Sequence, residues 1–249
     1  MKKIYIVGIV MLIMGSSFAM DVAKLNRYNE ELQPQMAILA EQVMPAIEAE
    51  EKRLKTVKAT DLDAIRLAIL YHNASSLLFS KGVKGYAAKG LTLLQPLYES
   101  KTVEEELRPI ITIYVGSITA LQAAESINPV DKMMGVGKGF KFLDEAVDKY
   151  GKLFFLPAFV RSSVASAVPE FFKKEKVALA DLNFLEQSYQ SNPNFVPKDI
   201  MATVYLNLGN SYKKQKNIKQ AIQYWTLSKQ IDPKVRNGEA SEMLDVFAD

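Results

Sequence analysis

The chain contains no cysteine, one histidine and one tryptophan in 249 residues. Without cysteine there is no disulfide framework, no thiolate metal site and no thiol nucleophile. His72 has no second imidazole with which to form a His-x-x-x-His pair, so carboxylates alone would have to complete any metal site. A Ser-His-Asp arrangement would need the same His72, and no Gly-x-Ser-x-Gly elbow exists. Next to Tyr71 in an apolar stretch, His72 reads as a half-buried packing residue. Strict apolar/polar alternation, the mark of half-buried strands, is missing too. Charge of one sign is almost absent: 31 Lys and Arg against 28 Asp and Glu give +3, which falls to +1 without Lys2 and Lys3. So balanced a chain carries no broad electrostatic argument for nucleic acid or an anionic membrane surface.

What is present suits a globular fold. Hydrophobic residues make up 49% of the chain, and its length buries a sizeable core without staples. Residues 1–19 read as a secretory leader, outside the fold. Lys2-Lys3 is the basic start, Ile4–Met14 the apolar run, and Ser17-Phe18-Ala19 the small-residue cleavage site. The alternative, a membrane anchor, would need roughly 20 apolar residues, which this run does not reach. Cleavage after Ala19 predicts a periplasmic or secreted bacterial protein. It would keep no stable membrane anchor, since no later cysteine is available to take a lipid.

After Ala19 every segment reads as helix. Asp21–Lys58 carries Pro34 and Pro45, each expected to start or kink a helix, and its charged run Glu48–Lys55 reads as a solvated face. Thr60-Asp61 caps a helix to about Ser80, apolar enough for both faces to be covered. Lys81-Gly82 breaks it, and Val83–Tyr98 returns. Thr102-Val103-Glu104-Glu105 has the form of a capping box ahead of a helix running to about Ser126. Gly116, Ala120, Ala123 and Ala124 give that helix a small-residue stripe for close contact. Asn128-Pro129 turns the chain into Val130–Tyr150. Leu153–Val168 and Lys173–Gln190 form another pair around Pro169. Ser191–Asn194 is a loop, and Pro197 opens the next helix. The residues from about Asn237 onward predict a short helix capping the last apolar face.

The motifs that suggest chemistry dissolve on inspection. Met134–Phe140, MGVGKGF, lacks the Ser or Thr after its Gly-Lys and the first glycine of a phosphate loop, so it reads as a small-residue helix surface. Glu104-Glu105-Glu106 points around a helix and shares no pocket, so it reads as a helix start meeting its dipole. Arg161, among small residues, calls for a carboxylate from the preceding hairpin, Asp144 or Glu145. The aromatic residues, Tyr71, Tyr114, Phe154 and Phe155 among them, sit at helical spacing and read as core. No catalytic set, metal site or cofactor motif emerges.

The stretch Ala202–Val235 is more specific. Tyr205, Leu208-Gly209, Tyr212, Ala221, Trp225, Ser228 and Pro233 fill, slot by slot, a two-helix unit of about 34 residues. Gly209 and Ala221 are small so that two backbones can approach, with the aromatics filling the space around the contact. This stretch resembles a tetratricopeptide repeat. Ala146, Leu185 and Ser228 take equivalent second-helix slots 39 and 43 residues apart, which makes the earlier units extended and degenerate. Residues 107–190 are also similar to exported bacterial tetratricopeptide-like proteins, to which no enzymatic activity is attached. The likeness is carried by Asn128-Pro129, Lys132, Gly139, Leu143–Val147, Arg161, Pro169 and Phe171, and it departs near Gly151.

The resemblance implies an all-α fold, a right-handed α-solenoid of helical hairpins over residues 20–249. Thr203, Leu206, Asn207, Asn210 and Lys214 share one helix face. In the repeat family that face lines a concave groove where a partner's peptide lies; the plain alternative is a solvated polar face. The first expectation is therefore a non-enzymatic scaffold for a partner protein or peptide. The second is an accessory of solute uptake or envelope transport that closes around a small apolar ligand, prompted by the over-apolar helices Asp61–Ser80 and Thr102–Ser126.

Overall fold

The computed structural model describes residues 20–247, and every regular element among them is helical. The leader reading concerns residues 1–19, which lie outside the described residues. Eleven α-helices follow in order: α1 Val22–Met36, α2 Ala40–Leu54, α3 Asp61–Leu77, α4 Tyr86–Glu99, α5 Arg108–Glu125, α6 Pro129–Tyr150, α7 Leu156–Ala167, α8 Glu175–Ser191, α9 Lys198–Lys214, α10 Ile218–Ile231 and α11 Glu239–Val246. Short single-turn helices fill several joints. From α2 onward each helix packs on the next, α1 lies against α3, and α5 sits in the middle against α3, α4, α6 and α7. By length and composition α5 is apolar enough to cross a membrane, yet most of it is buried inside this fold.

Local chemistry sets most boundaries. At the start of α3, Asp63 N–H donates to Thr60 Oγ1 at 3.2 Å and Thr60 N–H donates back to Asp63 Oδ2 at 3.0 Å, a reciprocal cap. Asn128 and Asn217 cap α6 and α10 through Val130 N–H and Gln220 N–H. Gly82 stops the α3 segment at φ +77°, a conformation an L side chain resists.

Close approach explains the glycines of MGVGKGF. They lie inside α6, on no loop. A Cβ on Gly139 would meet Gly116 O at 2.7 Å, and one on Gly135 would meet Ala123 Cβ at 2.5 Å; Gly137 faces open space. The small-residue stripe of α5 thus lets α6 lie against it, around buried Phe140 and Leu143. In α9, Gly209 leaves room for the Trp225 ring of α10, a side chain and not the neighbouring backbone.

Several expectations change. The α1–α2 break falls at residues 37–39; Pro34 ends up in the last turns of α1 and Pro45 inside α2. The charged run is not simply solvated: Glu50 is buried, and Arg53 donates to Glu50 at 2.8 and 2.7 Å and also to Asp63, tying α2 to α3. Thr102 does not cap α5. Its N–H goes to Ser100 Oγ at 3.1 Å, and α5 begins at Arg108 with Pro109 in its first turn. The glutamates ahead of it do more than meet a helix dipole. Glu104 takes Lys24 at 2.8 Å and the Tyr28 hydroxyl, which docks α1. Arg161 does reach Asp144, at 2.8 Å, but its second partner is Asp181 of α8, while Glu145 accepts from Lys149 and Tyr98.

Candidate functional site

The five residues of the expected groove do share the α9 face, and the chain's own C-terminal segment lies against much of it. Leu206 is fully buried in a cluster with Ala202, Ala221, Trp225, Val235 and Ala240. Asn207 accepts from Arg236 at 2.9 Å. Asn210 accepts from Trp225 Nε1 at 3.0 Å and donates to Glu239 at 2.8 Å. Thr203 is half-buried, and Lys214 is exposed and reaches the Ser166 carbonyl at 3.5 Å. Phe247 stacks on Trp225, so the expected C-terminal cap is built here. Open space lies elsewhere.

A cavity of about 810 Å³ runs between the C-terminal end of α1, α3, α5, the start of α6 and α7, with Ile200 of α9 at one side. That size lies within the roughly 300–1,000 Å³ of small-molecule sites. Its wall is mainly apolar: Met36, Leu121, Val136, Phe155, Phe159 and Val164 are representative. The mouth is marked by lining residues that are also exposed, among them Phe79 at the end of α3, Pro129 at the start of α6, and Pro169 and Phe171 between α7 and α8. Phe171 is 66% exposed and packs against Phe172, so the mouth presents an aromatic ring to solvent.

His72 stands on the α3 wall of this cavity. Its ring meets Tyr114 of α5 edge-on at 5.2 Å. Asn73 Nδ2 donates to the Gln35 carbonyl at 2.6 Å, which fixes the amide and turns Asn73 Oδ1 toward His72 Nδ1 at 2.9 Å. Nδ1 therefore carries the proton, and Nε2 accepts from the Ser117 hydroxyl at 2.9 Å. Burial lowers the His72 pKa, with the Asn73 bond pulling weakly the other way, so the ring is neutral. Burial also pushes the Tyr114 phenol far up, with no charge or hydrogen bond offsetting it. The sequence reading of His72 as half-buried was sound as far as it went. The void beside it was signalled only by the over-apolar stretches that became α3 and α5, and nothing local marked its place, because its walls come from helices up to 167 residues apart.

A smaller cavity of about 310 Å³ lies between α4, α5 and α6 and is polar. Its charges are already matched: Arg108 with Glu105 at 2.9 Å and Lys149 with Glu145 at 2.8 Å. Burial raises the Glu145 pKa, but the Lys149 and Tyr98 bonds outweigh it and bring the carboxyl below its usual range. A carboxylate so placed is a poor proton donor. No cluster of three or more His, Asp or Glu able to hold a metal occurs among the described residues.

Comparison of the chain with protein-family models, with curated proteins and with solved structures finds no match.

Proposed function

We propose that this protein is an exported, non-enzymatic binding protein that holds a small apolar ligand between its helical hairpins. The observation that carries the reading is the open, largely apolar cavity of about 810 Å³. The wider frame of the proposal is a right-handed solenoid of the tetratricopeptide kind, secreted through a leader cleaved after Ala19, serving solute uptake or envelope transport. The slot-by-slot repeat at residues 202–235 and the leader-like start support that frame. The balanced charge of the chain gives no support to a nucleic-acid partner.

A thermal-shift and native mass spectrometry screen of apolar compounds tests the reading. Binding should appear with the wild-type chain and be lost on filling the void with Val164→Trp, while circular dichroism confirms that the variant stays helical. A screen in which no apolar compound binds, or in which Val164→Trp binds as well as wild type, overturns it.

The scaffold reading keeps one specific support. Ile127, Val130, Met133 and Met134 form an exposed apolar face at the start of α6, from 58% to 94% exposed, and suit contact with a partner protein or peptide. Charge substitution at Val130 and Met134 should then abolish partner capture without touching ligand binding.

A further inference from the structure

The cavity sorts its polar groups by depth. On the inner wall, His72, Asn73, Ser117 and Ser163 satisfy one another or a backbone carbonyl: His72 with Asn73 and Ser117, Asn73 with Gln35, and Ser163 with Phe159 O at 2.9 Å. Side chains so paired offer little to a polar ligand, so the inner space solvates an apolar body. Among the described residues that line it there is no carboxylate and only one residue that is charged, Lys132.

Lys132 is half-buried on α6, on the same face as the exposed mouth residue Pro129 one turn before it and buried Val136 one turn after. Its helical neighbours at three and four positions' distance are Asn128, Pro129, Gly135 and Val136, none of them acidic. It makes no ion pair among the described residues. A cation at the rim of an apolar hole, engaged in no ion pair of its own, lacks the one thing an anionic head group brings.

We propose that the ligand is a single-chain anionic amphiphile, a long-chain carboxylic acid, bound tail first with its carboxylate on Lys132. This rests on the ligand-binding reading above and narrows it. The alternative pose, head group inward, would bury a carboxylate where no described lining residue carries a positive charge, which a low-dielectric site penalises heavily. Size agrees as well. A space of about 810 Å³ holds roughly 27 groups of the ~30 Å³ that a liquid water occupies, enough for a hexadecanoyl chain with room to bend.

The test measures hexadecanoic acid and hexadecanol, both below their aggregation limits, on the delipidated mature chain by calorimetry and native mass spectrometry. Acid and alcohol differ only in the head, so the change in their affinity ratio between wild type and Lys132→Ala reads the contact of the head group with Lys132. The acid should bind roughly three- to fivefold tighter at low salt, the scale of a partly exposed ion pair. In Lys132→Ala the ratio should fall to about one, and in Lys132→Glu it should invert. Shortening the acid by two carbons should weaken binding on the order of tenfold, since each methylene leaves apolar surroundings. Equal binding of acid and alcohol by wild type, or a ratio unchanged in Lys132→Ala, overturns the head-group assignment and leaves the cavity reading standing. Failure of both to bind while other apolar compounds succeed overturns the amphiphile alone, and failure of every apolar compound overturns the cavity reading with it.

Discussion

The Arg161 guanidinium grips the Asp181 carboxylate through two parallel hydrogen bonds, Nε to Oδ2 at 2.8 Å and Nη2 to Oδ1 at 2.7 Å. The side chain of Asp181 is 6% exposed and that of Arg161 15%, so the fork is almost dry. Asp144, the third member, is 46% exposed and adds a bond at the solvent edge. Together they bind α6, α7 and α8 at one point. Arg161→Met should cost about 3–5 kcal/mol in urea unfolding, because it leaves a buried carboxylate without its partner. The double variant Arg161→Met with Asp181→Leu should recover most of that loss. Asp144→Ala should cost less than about 1 kcal/mol. A double variant no better than Arg161→Met would show that packing, and not the unpaired charge, sets the cost.

The α5–α6 contact gives an internal control two residues apart. Gly139→Ala drives a methyl toward Gly116 O and Ala120 N, at 2.7 and 2.9 Å, both backbone atoms that cannot swing away. It should destabilise by about 1–3 kcal/mol, the usual scale of overpacking. Gly137→Ala meets nothing within 4 Å and should stabilise by up to about 1 kcal/mol through helix propensity. Opposite signs in the denaturation midpoints check the geometry; equal signs would refute it.

How much of this was legible beforehand follows physical range. The cap at Thr60 and the Asn128-Pro129 turn that opens α6 are encoded within three residues, and those readings hold. Thr102 had the same local form but lost, because its N–H goes to Ser100 and because Arg108, three residues on, claims Glu105, the carboxylate that would have reached back. Arg161 announced its need for a carboxylate, and Asp144 was found. Asp181 was missed although it carried a signal, a charge on the same helical stripe as buried Ala178 and Leu185. The cavity had only a coarse one: the over-apolar stretches Asp61–Ser80 and Thr102–Ser126 pointed to an apolar ligand between hairpins, without locating the void. Periodicity tells which side of Phe155, Phe159 and Tyr114 faces inward; it does not tell whether the interior there is filled.

Asp63 predicts the acid limit of the α2–α3 junction. Burial alone would raise its pKa, but the Thr60 N–H, Arg53 and the Thr60 hydroxyl outweigh that and bring it from 3.8 to about 2. A carboxyl depressed in the folded state contributes stability that is complete above its unfolded pKa and is lost as the pH falls through the folded one. The contribution should therefore decline between about pH 4 and pH 2. Arg53 is 40% exposed, so solvent screens the pair and the amount at stake is about 1 kcal/mol. Asp63→Asn should flatten the stability profile in that window and leave its shape above pH 5 alone. A profile as steep in Asp63→Asn as in wild type would place the acid sensitivity elsewhere.

His72 reports on the cavity from within, and as the only histidine its ring signals need no assignment. The hydrogen bonds fix a proton on Nδ1 and leave Nε2 to the Ser117 hydroxyl. Nitrogen NMR should show that one tautomer, with a midpoint clearly below the ordinary 6.5 because burial opposes the charged ring. The sign for stability follows. The unfolded chain gains its proton at a higher pH than the folded chain does, so stability should be flat well above pH 6.5 and decline as the pH falls through 6.5. His72→Gln should remove that slope. An apolar ligand seated against the wall should push the midpoint lower still, since it displaces whatever water reaches the ring. A midpoint at 6.5 or above would mean that solvent reaches Nε2 freely, and a back wall that wet could not favour an acyl chain over water.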